Sequence, residues 1–150
     1  MRVSARHVLG GTALVALGFL GGTLVSGQVA KRITRWTRED LKWKPVPGGL
    51  PFLTVAAWGT PGGAFCNFTK FPKGTKITLH HHTGDLSTVV LLGTFGSREE
   101  GSNAPLLAPG SYESIPGGLP HTTECSSAMD CIVYTCGPQG FDLVDDKPVH

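Results

Sequence analysis

Three histidines in GTKITLHHHTGD (residues 74–85) and one closing GSYESIPGGLPH (residues 110–121) are the side chains best suited to chemistry in this sequence. Side chains alternate faces along a strand, so His80 and His82 share one face and His81 takes the other. Two imidazoles on one face, a pleat apart, can reach one metal ion. Imidazole suits Zn, Cu, Fe and Ni, so the pair selects no single metal. A His-x-His pair alone reads equally well as a solvent-facing strand end. Downstream, Pro116-x-Gly118 forms a tight turn that delivers His121 to a strand start. A third imidazole from a neighbouring strand completes an open three-histidine site, with positions left for water, dioxygen or substrate.

The elements around these residues look entirely β. Gly (21) and Pro (11) are abundant and punctuate short runs rich in aromatic and β-branched residues, the pattern of a sandwich or barrel. FLTVAAWG, AFCNFTKF, TKITLHHH, LSTVVLLGTFGSRE, APLLAPG, SYESIPGG, the His121 segment and CIVYTC read as strands. No helix is expected within 52–140. Phe65, Phe68, Phe71, Val89, Leu91, Ile132 and Tyr134 read as core or pocket wall. Residues 28–51 form a lead-in segment from which Trp36, Leu41 and Trp43 could dock on the domain. Asp142, Asp145 and Asp146 read as part of a solvated tail (141–150). His7 and His150 are terminal and are assigned no role.

The formal charge is only +2, and Arg2, Arg6, Lys31, Arg32, Arg35 and Arg38 all precede residue 40. No basic stripe with interleaved aromatics is present, so nucleic-acid binding is not expected. Arg2 and Arg6 precede an apolar, Gly-rich stretch from Val8 to Val25, followed by small residues. This describes a signal peptide or a membrane anchor over residues 1–27. The absence of Cys at its end argues against a lipid anchor. Lys31, Arg32 and Arg35 run against the usual charge asymmetry of a cleaved signal. The expectation is export to a periplasmic or extracellular location. An oxidising compartment suits the four cysteines, for which three pairings exist. Cys125 and Cys131 flank a turn-like segment, so a hairpin-bridging disulfide is expected there. Cys66 and Cys136 are then left over as candidate free thiols. Without a C-x-x-C, neither a zinc ribbon nor a thioredoxin-type site is indicated.

The two histidine motifs resemble those of the cupin superfamily. Its first motif is a Gly, five residues, His-x-His, three or four residues, a Glu, six residues and a Gly; Gly74, His80, His82 and Gly93 match it. Its second is a Gly, five residues, Pro-x-Gly, two residues, His, three residues and an Asn; Gly110, Pro116, Gly118 and His121 match position for position. The resemblance spans about residues 52–140 and implies a jelly-roll barrel, the cupin double-stranded β-helix. AAWGTPGGAF, GDLSTVVLLGTF and CGPQGFDLVDDKP are also similar to small, often exported, bacterial single-domain cupins.

Two positions depart from the motifs. Leu86 stands where the motif has Glu, with Asp85 beside it as a substitute only if a bulge turns it inward. Cys125 replaces the final Asn. The resemblance implies metal ligation by His80, His82 and His121, with Fe, Zn, Ni or Cu as the cofactor and a small molecule in the barrel as substrate or ligand. A dioxygenase-like or other metal-dependent enzyme is one reading. An exported ligand- or metal-binding sensor is another, and a structural scaffold, dimerising through its sheet, is a third. Asp85, Glu113, Glu124 and Tyr134 are the candidate general bases, and none stands out.

Overall fold

The computed structural model describes residues 33–60 and 62–146 of the 150. The signal or anchor segment expected at 1–27 lies outside the described residues. Among the described residues, no helix is long and apolar enough to cross a membrane.

The described residues form ten strands: β1 (Lys44–Pro45), β2 (Leu53–Gly59), β3 (Phe65–Phe71), β4 (Lys76–His81), β5 (Leu86–Leu92), β6 (Phe95–Glu99), β7 (Tyr112–Ile115), β8 (His121–Cys125), β9 (Cys131–Gly137) and β10 (Val144–Asp145). A single 3₁₀ turn, Arg38–Asp40, is the one helical element among the described residues. The expected strand at APLLAPG reduces to a bridge between Leu107 and Phe95; Pro105 and Pro109 flank it and cannot donate to a ladder.

The strands make two antiparallel sheets in the orders β1-β2-β3-β9-β5-β7 and β10-β4-β8-β6. Their facing sides build the core. In β5, buried Leu86, Thr88 and Val90 alternate with Ser87, Val89 and Leu91, the period of a strand packed on one face. Val90 joins Phe52, Phe71, Phe95 and Val133 in the main cluster. Complete burial of a valine contributes about 1.5–3 kcal/mol, so Val90 and Val133 fix the register of the central strands.

Alternation also corrects the expected core. Phe65 and Phe71 point inward, and Ile132 is buried although its side chain is on the other face of its strand; Phe68, Val89, Leu91 and Tyr134 lie on the outer face of the larger sheet without being buried. There Phe68 and Tyr134 stack with ring centres 5.0 Å apart. Trp36 and Leu41 share a shallow groove with Phe68, Leu91 and Ile132, while Lys70 lies over the Trp43 ring at 4.9 Å. The lead-in residues therefore cover apolar surface that a one-sided core leaves outside.

All four cysteines are paired. Cys125–Cys131 forms as expected, yet it does not bridge a hairpin within one sheet: β8 and β9 belong to different sheets, so the bond staples them where the chain crosses. Cys66 and Cys136 are not free. They sit directly opposite each other on β3 and β9 and are bonded with a Cα–Cα distance of 4.1 Å. Sequence spacing cannot show this pairing, because the two cysteines lie 70 residues apart and meet only through the pairing of β3 with β9.

Candidate metal centre

A bulge on β4 aims two of the three histidines. Between Ile77↔Thr123 and His80↔His121 the chain advances three residues on β4 but two on β8. The extra residue shifts the alternation, so that Ile77, His80 and His82 all face the interior, the re-aiming that bulges produce. His80 and His121 are directly opposed across β4 and β8.

The turn before β8 is tied to the end of β4. Gly118 N–H donates to the His82 carbonyl at 2.8 Å, and Gly117 N–H donates to Asp85 Oδ1 at 2.7 Å. Position 117 requires glycine, since a Cβ there would lie 2.4 Å from the Thr83 carbonyl oxygen. One turn thus places His82 and His121 together. Asp85 is exposed and occupied in that turn; Leu86 is buried in the cavity wall. Asp85 therefore does not join the histidine group in place of the motif's Glu.

The three imidazoles converge with ring centres 4.3–5.2 Å apart, and one nitrogen from each falls within 4.8 Å of the others. All three rings are buried. Each Nδ1 faces a backbone carbonyl oxygen: Thr78 for His80 (2.7 Å), Asp142 for His82 (2.5 Å) and Leu119 for His121 (2.9 Å). A carbonyl only accepts, so each Nδ1 carries the proton and each Nε2 keeps its lone pair. His121 Nε2 is fully buried without a hydrogen-bond partner. An unpaired buried nitrogen is costly, and a cation is the group its lone pair suits. Burial lowers the His80 pKa to about 4 and lowers that of His82, which keeps both rings neutral and ready to ligate. The donor set fits a divalent transition metal.

His81 points outward, as alternation requires, with Nδ1 2.8 Å from Asp146 Oδ2. Residues 141–146 of the expected tail contribute to the site's support, while Asp145 stays exposed. β10 pairs with β4, and the Asp142 carboxylate accepts from Thr83 N–H and Oγ–H at 2.8 and 2.5 Å. Partial burial pushes the Asp142 carboxyl up, but the Thr83 hydrogen bonds outweigh it and hold the group below its usual range. Phe141 packs on the His82 ring at 5.0 Å.

His80 and His82 line a cavity of about 220 Å³ between the sheets, with His121 packed against them. Phe52, Phe65, Phe71, Phe95 and Phe141 are among its apolar lining, and Thr88, Ser97, Glu113, Thr123 and Thr135 are among its polar lining. Of the four candidate bases, Glu113 alone lines the cavity. Glu124 turns outward to Arg98 and Lys76, Tyr134 lies on the outer face, and Asp85 holds the turn. The Cys125 that replaces the motif's Asn is buried in the core disulfide. Sequence reading missed the Asp142 carbonyl, for which no local signal exists, and the Ser97–Thr123 pair, which needs the β6–β8 register.

Two facing antiparallel sheets with inward histidines on β4 and β8 define a cupin. Residues 32–139 match the ChrR cupin-like domain, and the chain belongs to that family. A chain of the crystal structure of Rhodobacter sphaeroides SigE in complex with the anti-sigma ChrR is similar at 26% identity and a TM-score of 0.53, over 67% of this chain and 51% of that one. The present chain thus spans about half the length of that relative. The polyketide cyclase RemF from Streptomyces resistomycificus shares the fold at 17% identity and a TM-score of 0.63, over 79% of this chain and 89% of that one. So does the DMSP lyase DddQ from Ruegeria pomeroyi DSS-3, at 19% and 0.58, over 75% and 64%. No curated protein matches this chain.

Proposed function

We propose that this protein is a metal-binding cupin in which His80, His82 and His121 hold a divalent transition metal through Nε2, beside a cavity that takes a small molecule. The observation that supports it most is the buried, unpaired Nε2 of His121, together with three Nδ1 atoms committed to carbonyls. Bound there, Fe would supply oxygen chemistry and Zn would supply Lewis-acid chemistry. The chain's own contribution is to keep two rings neutral, hold all three in one tautomer and bury them from bulk water. A dioxygenase-like or other metal-dependent enzyme acting on a compact molecule is the first reading.

A second reading, a non-enzymatic metal or ligand sensor, is favoured by Leu86, which leaves the histidines without the motif's carboxylate. The similarity to a structure containing the anti-sigma ChrR supports the same reading. Turnover separates the two. Metal-loaded protein that consumes oxygen or transforms members of a small-molecule panel supports the enzyme; saturable binding with no product supports the sensor. Export is proposed for the N-terminal segment, and sequencing the N-terminus of protein recovered from fractionated cells tests it.

A further inference from the structure

We infer that Glu113 is a ligand-recognition residue: its carboxylate receives the ammonium end of a compact molecule whose other end, an oxygen donor, lies at the three histidines. This rests on the metal-site reading for the oxygen end only.

Glu113 is the one acidic residue on the cavity wall, and no lysine or arginine lines that wall among the described residues. Its partner across β5 is Thr88, whose side chain also faces the cavity. The carboxylate accepts Ser97 N–H at 3.0 Å and Ser97 Oγ–H at 3.2 Å. These two neutral donors leave the negative charge without a cationic partner on the wall. A carboxylate is paired most strongly by a charged donor, and an ammonium ion is the complement that the wall lacks.

The placement also fits one small molecule reaching both groups. His121 and Thr123 are buried on the same side of β8, two residues or about 7 Å apart. Thr123 Oγ1 lies 3.1 Å from Ser97 Oγ, which bonds Glu113. Thr123 and Ser97 therefore link the histidine-bearing strand β8 to the carboxylate by a run of polar side chains.

Glu113 has a structural task as well. β7 and β6 are edge strands of different sheets, and the bonds from Ser97 to Glu113 close the seam between them. Glu113→Gln separates the two roles, since the amide oxygen can still accept Ser97 N–H and the amide NH2 can donate to the Ser97 hydroxyl oxygen, while the charge is lost.

The test titrates zinc-loaded full-length chain with γ-aminobutyrate, butyrate and butylamine by calorimetry. The wild type is expected to bind γ-aminobutyrate about tenfold more tightly than butyrate, the scale of one charge-assisted hydrogen bond. In Glu113→Gln that preference should vanish while zinc stoichiometry and Tm hold. Equal binding of the two acids by the wild type, or an undiminished preference in the variant, overturns the inference with the metal reading intact. If the chain takes no zinc, metal-free protein is titrated with butylamine and 1-butanol. A Glu113-dependent preference for the amine then supports the carboxylate's role while the metal reading fails, and no preference overturns it. Should Glu113→Gln not fold, the carbon-13 shift of the wild-type Glu113 carboxyl is followed instead. Movement with butylamine but not with 1-butanol is expected, and none overturns the inference.

Discussion

His82 Nδ1 lies 2.5 Å from the backbone carbonyl oxygen of Asp142, 60 residues further along the chain. The equivalent bonds of His80 and His121 are local, each to the residue two before it. One of the three imidazoles is therefore oriented by the C-terminal segment, and that segment is held in place by the Asp142 carboxylate on Thr83.

Asp142→Ala should accordingly weaken metal binding without touching a ligand. Loss of a group that orients a metal-binding histidine lowers affinity by about 10–100-fold. Competition against a chromophoric chelator measures it, and an affinity equal to wild type would show that the segment only covers the site.

Asp85 acts on the turn, so its charge should matter less than its oxygen. Asp85→Ala removes the acceptor of Gly117 N–H and is expected to cost about 1 kcal/mol or more of stability, with weaker metal uptake. Asp85→Asn, which keeps an acceptor, should lie close to wild type in both denaturant titration and metal uptake. A ligand role would instead make Asn as damaging as Ala.

The metal-free protein should lose stability in acid. Its folded-state His80 titrates at about 4 against the ordinary 6.5, and His82 is also lowered, both because burial disfavours the charged ring. The unfolded chain thus binds more protons between these values, so the contribution is complete above 6.5 and drains as pH falls toward 4. Urea midpoints should decline between about pH 7 and about pH 5 more steeply in wild type than in His80→Ala. Parallel declines would contradict the burial of a neutral His80.

Breaking Cys66–Cys136 should unfold the barrel more readily without disturbing the metal. The bond closes a loop of 70 residues, worth about 4 kcal/mol on the chain-entropy scale, and lies on the outer face. Cys66→Ser with Cys136→Ser is expected to lower the denaturation midpoint and leave metal stoichiometry unchanged. A loss of metal would place the disulfide in the support of the site.

Much of this was legible in the residues. The β content, the shared face of His80 and His82 and the turn before His121 all follow from short-range spacing, which local physics controls. The support was hidden because it depends on register. Nothing near Ile77 announces the bulge that turns His80 inward, and nothing near Asp142 announces that its carbonyl will meet His82. The outer-face residues Phe68, Val89, Leu91 and Tyr134 read as core or pocket wall in the sequence because an apolar strand looks the same from either side until a covering segment is known. Trp36 and Leu41, some thirty residues before Phe68, are part of that cover.

Elemental analysis of the purified chain, after exposure to Fe, Zn, Ni and Cu in turn, tests the central claim most directly, with His121→Ala and His81→Ala beside it. About one metal ion per chain is expected in the wild type and in His81→Ala, whose ring faces outward. His121→Ala should bind little or none. Wild-type protein that takes up none of the four metals, or His121→Ala that binds as much as wild type, would contradict the three-histidine centre.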